Sequence, residues 1–486
     1  MSARAVMVLG TTSGAGKSWL AAALCRWYAR RGLKVAPFKA QNMSNNARVV
    51  PGADGGLGEI GSAQYFQALA ARRVPEVRMN PVLLKPELDT RSQVVVMGEV
   101  RPELAAVPWR ERSEALWPSA REALHALRQE NDLLVIEGAG SPAEINLHAS
   151  DFVNMRTARE ARAACLLVTD IDRGGAFAHL YGTHQLLPAN ERGLVRGFVL
   201  NRFRGDAALL APGPGQLQQL TGVPTIAVLP MWRGHGLPEE DGVFDDTPSG
   251  PGDGVRIAVV AYPRISNLDE FQPLRNLPGV RLHWVRSAAD LAVLTEADWV
   301  VLPGSKHTSG DLAWLRAQRL DAPIRAHAER GGRVLGVCGG LQMLGDALLD
   351  PHGVDGDAQG LGLLPLVTTF EPRKLLSATP VRFGEVRGAW SALSGVQAGG
   401  YEIRHGRTTP AAGASAPAVL FNPRGEAIGW QHGSVLGLYA HGLFESAAVM
   451  HALFGAGVRP LDAVFDGLAD FIDLHFEPGA LMGLLD

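Results

Sequence analysis

Val6-Met-Val-Leu-Gly10-Thr-Thr-Ser-Gly-Ala-Gly16-Lys17-Ser18 decides how the first half of this chain folds. A short apolar run of strand type enters a glycine-rich turn, and the turn opens onto the helical pattern Trp19–Arg30. Strand, loop and helix in that order gather backbone N–H groups and a helix N-terminus around phosphate. Thr11, Gly14 and Gly16 shape the turn, Lys17 brings a point charge for β- and γ-phosphates, and Ser18 offers a hydroxyl to Mg²⁺. The usual spacing would place the first glycine where Thr11 stands, so the loop is the variant with five residues between its outer glycines.

Outward from this stretch the same rhythm repeats. Leu33–Pro37, Leu133–Ile136, Ala164–Val168 and Val195–Leu200 are strand-like runs separated by helical patterns, the order of a mostly parallel sheet with helices on both faces. The C-terminal edge of such a sheet faces the ligand crevice. Glu137, at the end of Leu133–Ile136, is therefore the first candidate metal carboxylate, with Asp54 and Glu59 in the Gly-rich stretch 53–61 as weaker ones. Asn201, ending Val195–Leu200, is placed to read a base edge.

Between Met231 and Gly254 the periodicity gives way to Gly, Pro and Asp, which predicts a linker over 236–254 joining units 1–235 and 255–486. Beyond it Val255–Ala261, Trp299–Leu302, Arg333–Val337 and Val435–Ala440 predict a second α/β sheet. Leu468, Phe471, Ile472 and His475 predict a terminal helix packed on one of the two units.

Cys338 follows the strand Arg333–Val337 and precedes Gly339-Gly340 and the helical pattern Leu341–Leu348. That sharp elbow lifts a thiol above the sheet at a helix N-terminus, which favours thiolate. Cys25 and Cys165 lie inside apolar runs and read as inert core. A thiolate nucleophile needs a histidine. His432 and His441 stand at opposite ends of the last strand, roughly 26 Å apart at about 3.3 Å per residue, so only one reaches Cys338. Parallel pairing selects His441 and leaves His432 in a surface turn. Oxyanion donors are the N–H of Gly339 and the turn Leu302-Pro-Gly304-Ser-Lys306.

Bulk properties exclude much else. The 486 residues carry 46 Lys+Arg against 49 Asp+Glu, and no basic stripe with interleaved aromatics, so no nucleic-acid partner is expected. No run approaches the roughly 18 apolar residues of a membrane span, and no signal-peptide core is seen. Three cysteines are too few for a disulfide framework, which predicts a cytoplasmic protein. Self-association into a homo-oligomer is compatible with this composition.

These motifs occur together in a recognisable order. Gly10–Ser18, Phe38-Lys-Ala-Gln-Asn-Met-Ser-Asn-Asn46, Glu137-Gly-Ala-Gly-Ser-Pro-Ala-Glu-Ile-Asn146, Asp170-Ile-Asp-Arg-Gly-Gly175 and Asn201-Arg-Phe-Arg-Gly-Asp206 resemble the dethiobiotin-synthetase-like ATPases. Pro263-Arg-Ile-Ser-Asn267, Leu302–Lys306, Gly336-Val-Cys-Gly-Gly-Leu-Gln342, Gly400-Tyr-Glu-Ile-Arg404 and Tyr439-Ala-His-Gly-Leu-Phe444 resemble the class I glutamine amidotransferases of the cobyrinate branch. Joined in one chain, they resemble the cobyric acid synthase family. The resemblance implies ATP, Mg²⁺, glutamine and a corrinoid, with amidation of four peripheral carboxylates of adenosylcobyrinic acid a,c-diamide. It also implies Cys338 as nucleophile and His441 as its proton carrier. Many class I glutaminases carry Glu two residues after that His; here the position is Leu443, and Glu445 lies two further on, so the third triad member is absent or replaced. Two alternatives stand beside this reading: the sister enzyme that amidates the a and c carboxylates, and a nucleotide-switched binding protein with an inactive amidotransferase half.

Overall fold

The computed structural model describes residues 3–52, 54–88, 91–238, 254–455 and 459–486. Most of the expected linker lies outside these residues.

The first half is built on a six-stranded, wholly parallel sheet in the order Thr225–Pro230, Val195–Phe203, Ala164–Asp170, Arg4–Gly10, Leu133–Glu137, Val35–Phe38. Its strands are almost continuously buried because helices cover both faces, as parallel sheets require. Gly10, Glu137, Asp170 and Asn201 all fall at or near the C-terminal strand edge, so the sheet itself gathers them. Between the second and third strands in sequence, an insertion forms a small four-stranded sheet from Gln41–Met43, Val82–Leu88, Arg91–Val96 and Glu99–Val100. It also forms the hairpin Ala47–Pro51 with Leu57–Gly61.

The second half centres on an eleven-stranded mixed sheet. Five strands are parallel, in the order Val280–Val285, Val255–Val260, Trp299–Leu302, Arg333–Val337, Val435–Leu438. From Val435–Leu438 the sheet continues antiparallel through Ala427–His432 and Ala418–Phe421 to the long hairpin Leu366–Phe383 with Gln397–Pro410. Apolar runs alone do not predict that extension, since Leu366–Phe383 is half-exposed and interrupted by charged residues. The expected helix Leu341–Leu348 stops at Leu344, and Ala347–Leu349 is a strand.

The terminal helix Leu461–His475 does not pack on the half that precedes it. Val464, Phe465, Leu468, Ala469 and Ile472 join the core around Leu20, Leu24 and Trp27 of the helix Lys17–Arg30. Each of these buried side chains larger than alanine contributes about 1.5–3 kcal/mol. Arg30 with Asp470 (2.6 Å) and Arg31 with Asp473 (2.7 Å) flank the seam. The chain thus returns to close its own first unit, and unit 255–486 is spatially divided before this tail. No described helix is long and apolar enough to cross a membrane.

Candidate active site

Register brings Cys338 and His441 together. Arg333–Val337 pairs in parallel with Val435–Leu438, matching Val337 with Leu438, and the Cys338 N–H donates to the Leu438 carbonyl at 2.8 Å. Both chains therefore leave the sheet at one edge, which brings the buried His441 ring close enough to Cys338 for the thiol to help raise the imidazole pKa. His432 is exposed at the other end, paired with Val435.

The elbow is strained. Cys338 has φ 50° and ψ −104°, a conformation that L residues avoid and that costs on the order of 1–3 kcal/mol. Glycine after it is obligatory, because a Cβ on Gly340 would overlap the Leu302 carbonyl. The helix that follows, Gly339–Leu344, is under two turns long, so its dipole is a smaller influence on the thiol than the sequence pattern suggested. The Cys338 S–H points to the Ile403 carbonyl at 3.7 Å, and Tyr401 stacks on His441 with ring centroids 5.3 Å apart. The Gly400–Arg404 motif thus roofs the thiol. Gly304 lies against the His441 ring, and Gly339 directly follows the thiol in the turn.

The third partner comes from an unexpected segment. His441 Nδ1 meets Glu270 Oε1 at 3.0 Å, and Glu270 Oε2 accepts the Gly442 N–H at 3.1 Å. Burial alone would depress the imidazole, but the Glu270 carboxylate and the thiol raise its pKa to about 10. Glu270 lies in the turn Leu268–Phe271, just after the Pro263–Asn267 motif; only its neighbourhood, not its spacing from His441, marked it in the sequence. Glu445 points elsewhere, to Arg48 at 2.6 Å.

Around the phosphate loop, a cavity of about 420 Å³ is lined by Gly14, Gly16, Lys17, Ser18, Lys39 and Glu137 among others. Lys17 Nζ donates to the Thr12 and Gly140 carbonyls at 3.0 and 3.2 Å, and Thr11 Oγ1 donates to Thr169 at 3.0 Å. Ser18 Oγ donates to Glu137 Oε1 at 2.9 Å, and Lys39 Nζ reaches the same oxygen at 2.8 Å. Gln64 and Gln67 donate to Glu137 Oε2 at 3.3 and 2.6 Å. Burial opposes charge on Glu137, yet Lys39 and these donors hold its carboxyl below the ordinary range.

Three expected ligands take other places. Asn201 donates from Nδ2 to the Ala15 carbonyl (2.9 Å), bracing the loop, while its Oδ1 accepts the N–H of the adjacent Arg202 (2.9 Å), so both ends of its amide are engaged within the chain. Asp54 caps the exposed tip of the hairpin, accepting the Gly56 N–H at 3.1 Å, away from Ser18 and Glu137. Glu59 is buried between Lys85 and Lys374, the latter at 2.6 Å; burial would raise its carboxyl, but the two ammonium groups hold it far below the usual range. That ion triad joins the two halves, as does Lys306 with Glu87 at 2.9 Å. Among the described residues no group of three or more His, Cys, Asp and Glu could hold a metal. Ser18 and Glu137 nevertheless form a pair of hard oxygens at the loop, the donor set that accompanies phosphate oxygens around Mg²⁺.

The comparisons with known proteins follow this division. Residues 6–233 match the CobQ/CobB/MinD/ParA nucleotide binding domain, and residues 256–449 match the CobB/CobQ-like glutamine amidotransferase domain. Among similar curated proteins, the cobyric acid synthase of Methylibium petroleiphilum is 75% identical over 99% of this chain and 97% of its own length. That of Leptothrix cholodnii is 71% identical over 99% and 97%, and that of Variovorax paradoxus 70% over 100% of both. With a nucleotide-binding half, an amidotransferase half and such identity along its whole length, the chain belongs to the cobyric acid synthase family.

Proposed function

We propose that this chain amidates the b, d, e and g carboxylates of adenosylcobyrinic acid a,c-diamide, using ATP to activate each carboxylate and glutamine as the nitrogen source. The observation that carries the reading is one strained thiol seated against a buried His–Glu pair, in the same polypeptide as a Gly-Lys-Ser phosphate loop.

A carboxylate does not accept ammonia, because the leaving group would be oxide. Transfer of the γ-phosphoryl group to a carboxylate oxygen gives an acyl phosphate and ADP; ammonia then attacks the acyl carbon and phosphate departs. Lys17, the loop N–H groups around Gly14 and Gly16, and Ser18 hold the triphosphate. When bound, Mg²⁺ would neutralise phosphate charge, and Ser18 and Glu137 are the residues that would hold it.

At the other site His441, its pKa raised to about 10, already holds the proton that Cys338 gives up, and sulfur attacks the glutamine carboxamide carbon as thiolate. The N–H of Gly339 and the Gly304 turn face the oxyanion. His441 returns the proton to the departing nitrogen, ammonia leaves, and water hydrolyses the thioester to glutamate. Glu270 fixes the imidazole tautomer through Nδ1 and stabilises its cation. Ammonia must reach the acyl phosphate before bulk water protonates it, and the buried seam between the halves supports a shielded path. We place the reaction in the cytoplasm, where ATP and glutamine are supplied and thiols stay reduced.

Mass spectrometry of the product from the a,c-diamide with ATP, Mg²⁺ and glutamine tests the reading. Four successive carboxylate-to-amide conversions are expected. Conversion of cobyrinic acid at two positions, with the a,c-diamide untouched, would assign the chain to the sister reaction instead.

A further inference from the structure

The hairpin Ala47–Pro51 with Leu57–Gly61 belongs to the nucleotide-binding half, yet it carries Arg48 into the amidotransferase half. Arg48 is fully buried among Tyr65, Phe66 and Tyr401, with its guanidinium carbon 5.3, 4.9 and 5.0 Å from their ring centroids. It pairs with two carboxylates of the other half, Asp269 and Glu445, the second at 2.6 Å.

Those carboxylates sit on the two segments that frame the His–Glu pair. Asp269 immediately precedes Glu270 within the turn Leu268–Phe271. Glu445 ends the turn Leu443–Glu445, which begins two residues after His441. Backbone contacts hold the first turn from the same side: the Asn267 side chain accepts the Ala47 N–H at 3.1 Å, and Asn46 Oδ1 accepts the Leu268 N–H at 3.0 Å. Both carboxylates meet one nitrogen, Nη2, and the planar guanidinium packed against the three rings fixes where that nitrogen stands, which a flexible ammonium cannot do.

The hairpin's other end leads back to the phosphate loop. The Asn46 carbonyl accepts the Ser62 N–H at 3.1 Å, where the helix Ser62–Ala70 begins, and that helix presents Gln64 and Gln67 to Glu137. One continuous piece of chain therefore touches the carboxylate beside Ser18 and the turn that orients His441.

We propose that Arg48 is a positioning residue of the amidotransferase site supplied by the nucleotide-binding half: by clamping Asp269 and Glu445 it holds Glu270 against His441, so ammonia release is assembled by the half that consumes ATP. The polar partners of Arg48 are Asp269 and Glu445, and that of the thiol is the Ile403 carbonyl. Arg48 acts through Glu270, whose loss of register would leave the imidazole misaligned while glutamine still binds. The inference rests on Cys338 acting as the glutaminase nucleophile.

The test uses the full chain as wild type, Arg48→Met and Arg48→Lys. Glutamine hydrolysis is measured for kcat and KM, and corrinoid amidation is measured with glutamine and, separately, with ammonium chloride. In Arg48→Met, glutaminase kcat is expected to fall about 100-fold, the scale of a catalytic group displaced by about 1 Å, with KM and ammonium-supported amidation within about twofold of wild type. Arg48→Lys, which keeps the charge but loses the planar group packed against the rings, is expected to recover about tenfold of that loss. An unchanged kcat, or equal loss with both nitrogen sources, would overturn the proposal. If Arg48→Met does not fold, Arg48→Lys decides by the ratio of glutamine- to ammonium-supported amidation: a ratio lowered about tenfold supports it, an unchanged ratio overturns it. Wild-type enzyme that amidates with ammonium but never hydrolyses glutamine would overturn the nucleophile reading itself, independently of Arg48.

Discussion

The two proposed reaction centres start from the same element and use glycine for opposite purposes. At Gly10–Ser18 a parallel strand ends in a loop whose glycines take positive φ, 69° at Gly14 and 99° at Gly16, so that backbone N–H groups turn inward around an anion. At Val337–Gly340 a parallel strand ends in a single strained cysteine, and the glycine beyond it provides clearance for the return of the chain over Leu302. The first centre is a bowl made of backbone, nearly complete within one contiguous stretch. The second presents one atom and is inert without partners brought from distant segments; Glu270 and His441 alone are 171 residues apart. An anion site built from backbone tolerates substitution of its supporting side chains better than a nucleophile whose reactivity depends on two of them.

That contrast can be broken from the strongest effect downward. Cys338→Ala removes the sulfur proposed to form the thioester, and glutaminase kcat should fall by about four orders of magnitude or more, while ammonium still supports amidation. Equal losses with glutamine and ammonium, measured by product formation, would show that the two centres are not separate. Glu270→Gln keeps the shape but removes the charge facing His441, and glutaminase kcat should fall about 10³-fold. Lys17→Met should lower amidation about 10²-fold with either nitrogen source while leaving corrinoid-independent glutamine hydrolysis within about threefold, which a glutaminase assay without ATP checks.

Stability should divide the same way with pH. The folded His441 pKa is raised from 6.5 to about 10, so its pairing with Glu270 contributes fully below about pH 6.5 and is lost as pH rises through about 10. Urea midpoints of wild type and Glu270→Gln should therefore differ most near pH 6 and converge near pH 10. Widening of the gap with pH would contradict the pairing. Asp54→Asn, at the exposed hairpin tip, should change amidation by less than about twofold, since a solvated loop carboxylate contributes little.

Sequence reading works where chemistry is local. The phosphate loop and the Cys338 elbow are legible because strand, glycine turn and helix are consecutive, and His441 is legible because parallel pairing dictates which strand end it shares with the thiol. Glu270 is not, because the usual pattern seeks a carboxylate two residues beyond the histidine and finds Leu443, while the carboxylate that meets the imidazole arrives by tertiary packing of another turn. Glu59 reads as a metal candidate in a Gly-rich stretch, yet three-dimensional charge balance places it between Lys85 and Lys374; no spacing rule encodes partners 26 and 315 residues away. Asn201 stands at the expected strand edge, but the close approach of Gly16 turns its amide to the loop backbone. The terminal helix is plain from periodicity, whereas its docking on the first unit rests on its apolar face meeting Leu20, Leu24 and Trp27, with acidic residues beside Arg26, Arg30 and Arg31, a pairing visible only in space.

The most direct test follows the nitrogen atom. Wild type and Cys338→Ala are incubated with the a,c-diamide, ATP, Mg²⁺ and amide-¹⁵N glutamine in the presence of unlabelled ammonium, and the isotope in the corrinoid is counted by mass spectrometry. The account predicts ¹⁵N in the amides made by the wild type and only unlabelled amides from the variant. Labelled amides from Cys338→Ala would contradict it, because nitrogen would then leave glutamine by a route that does not pass through that sulfur.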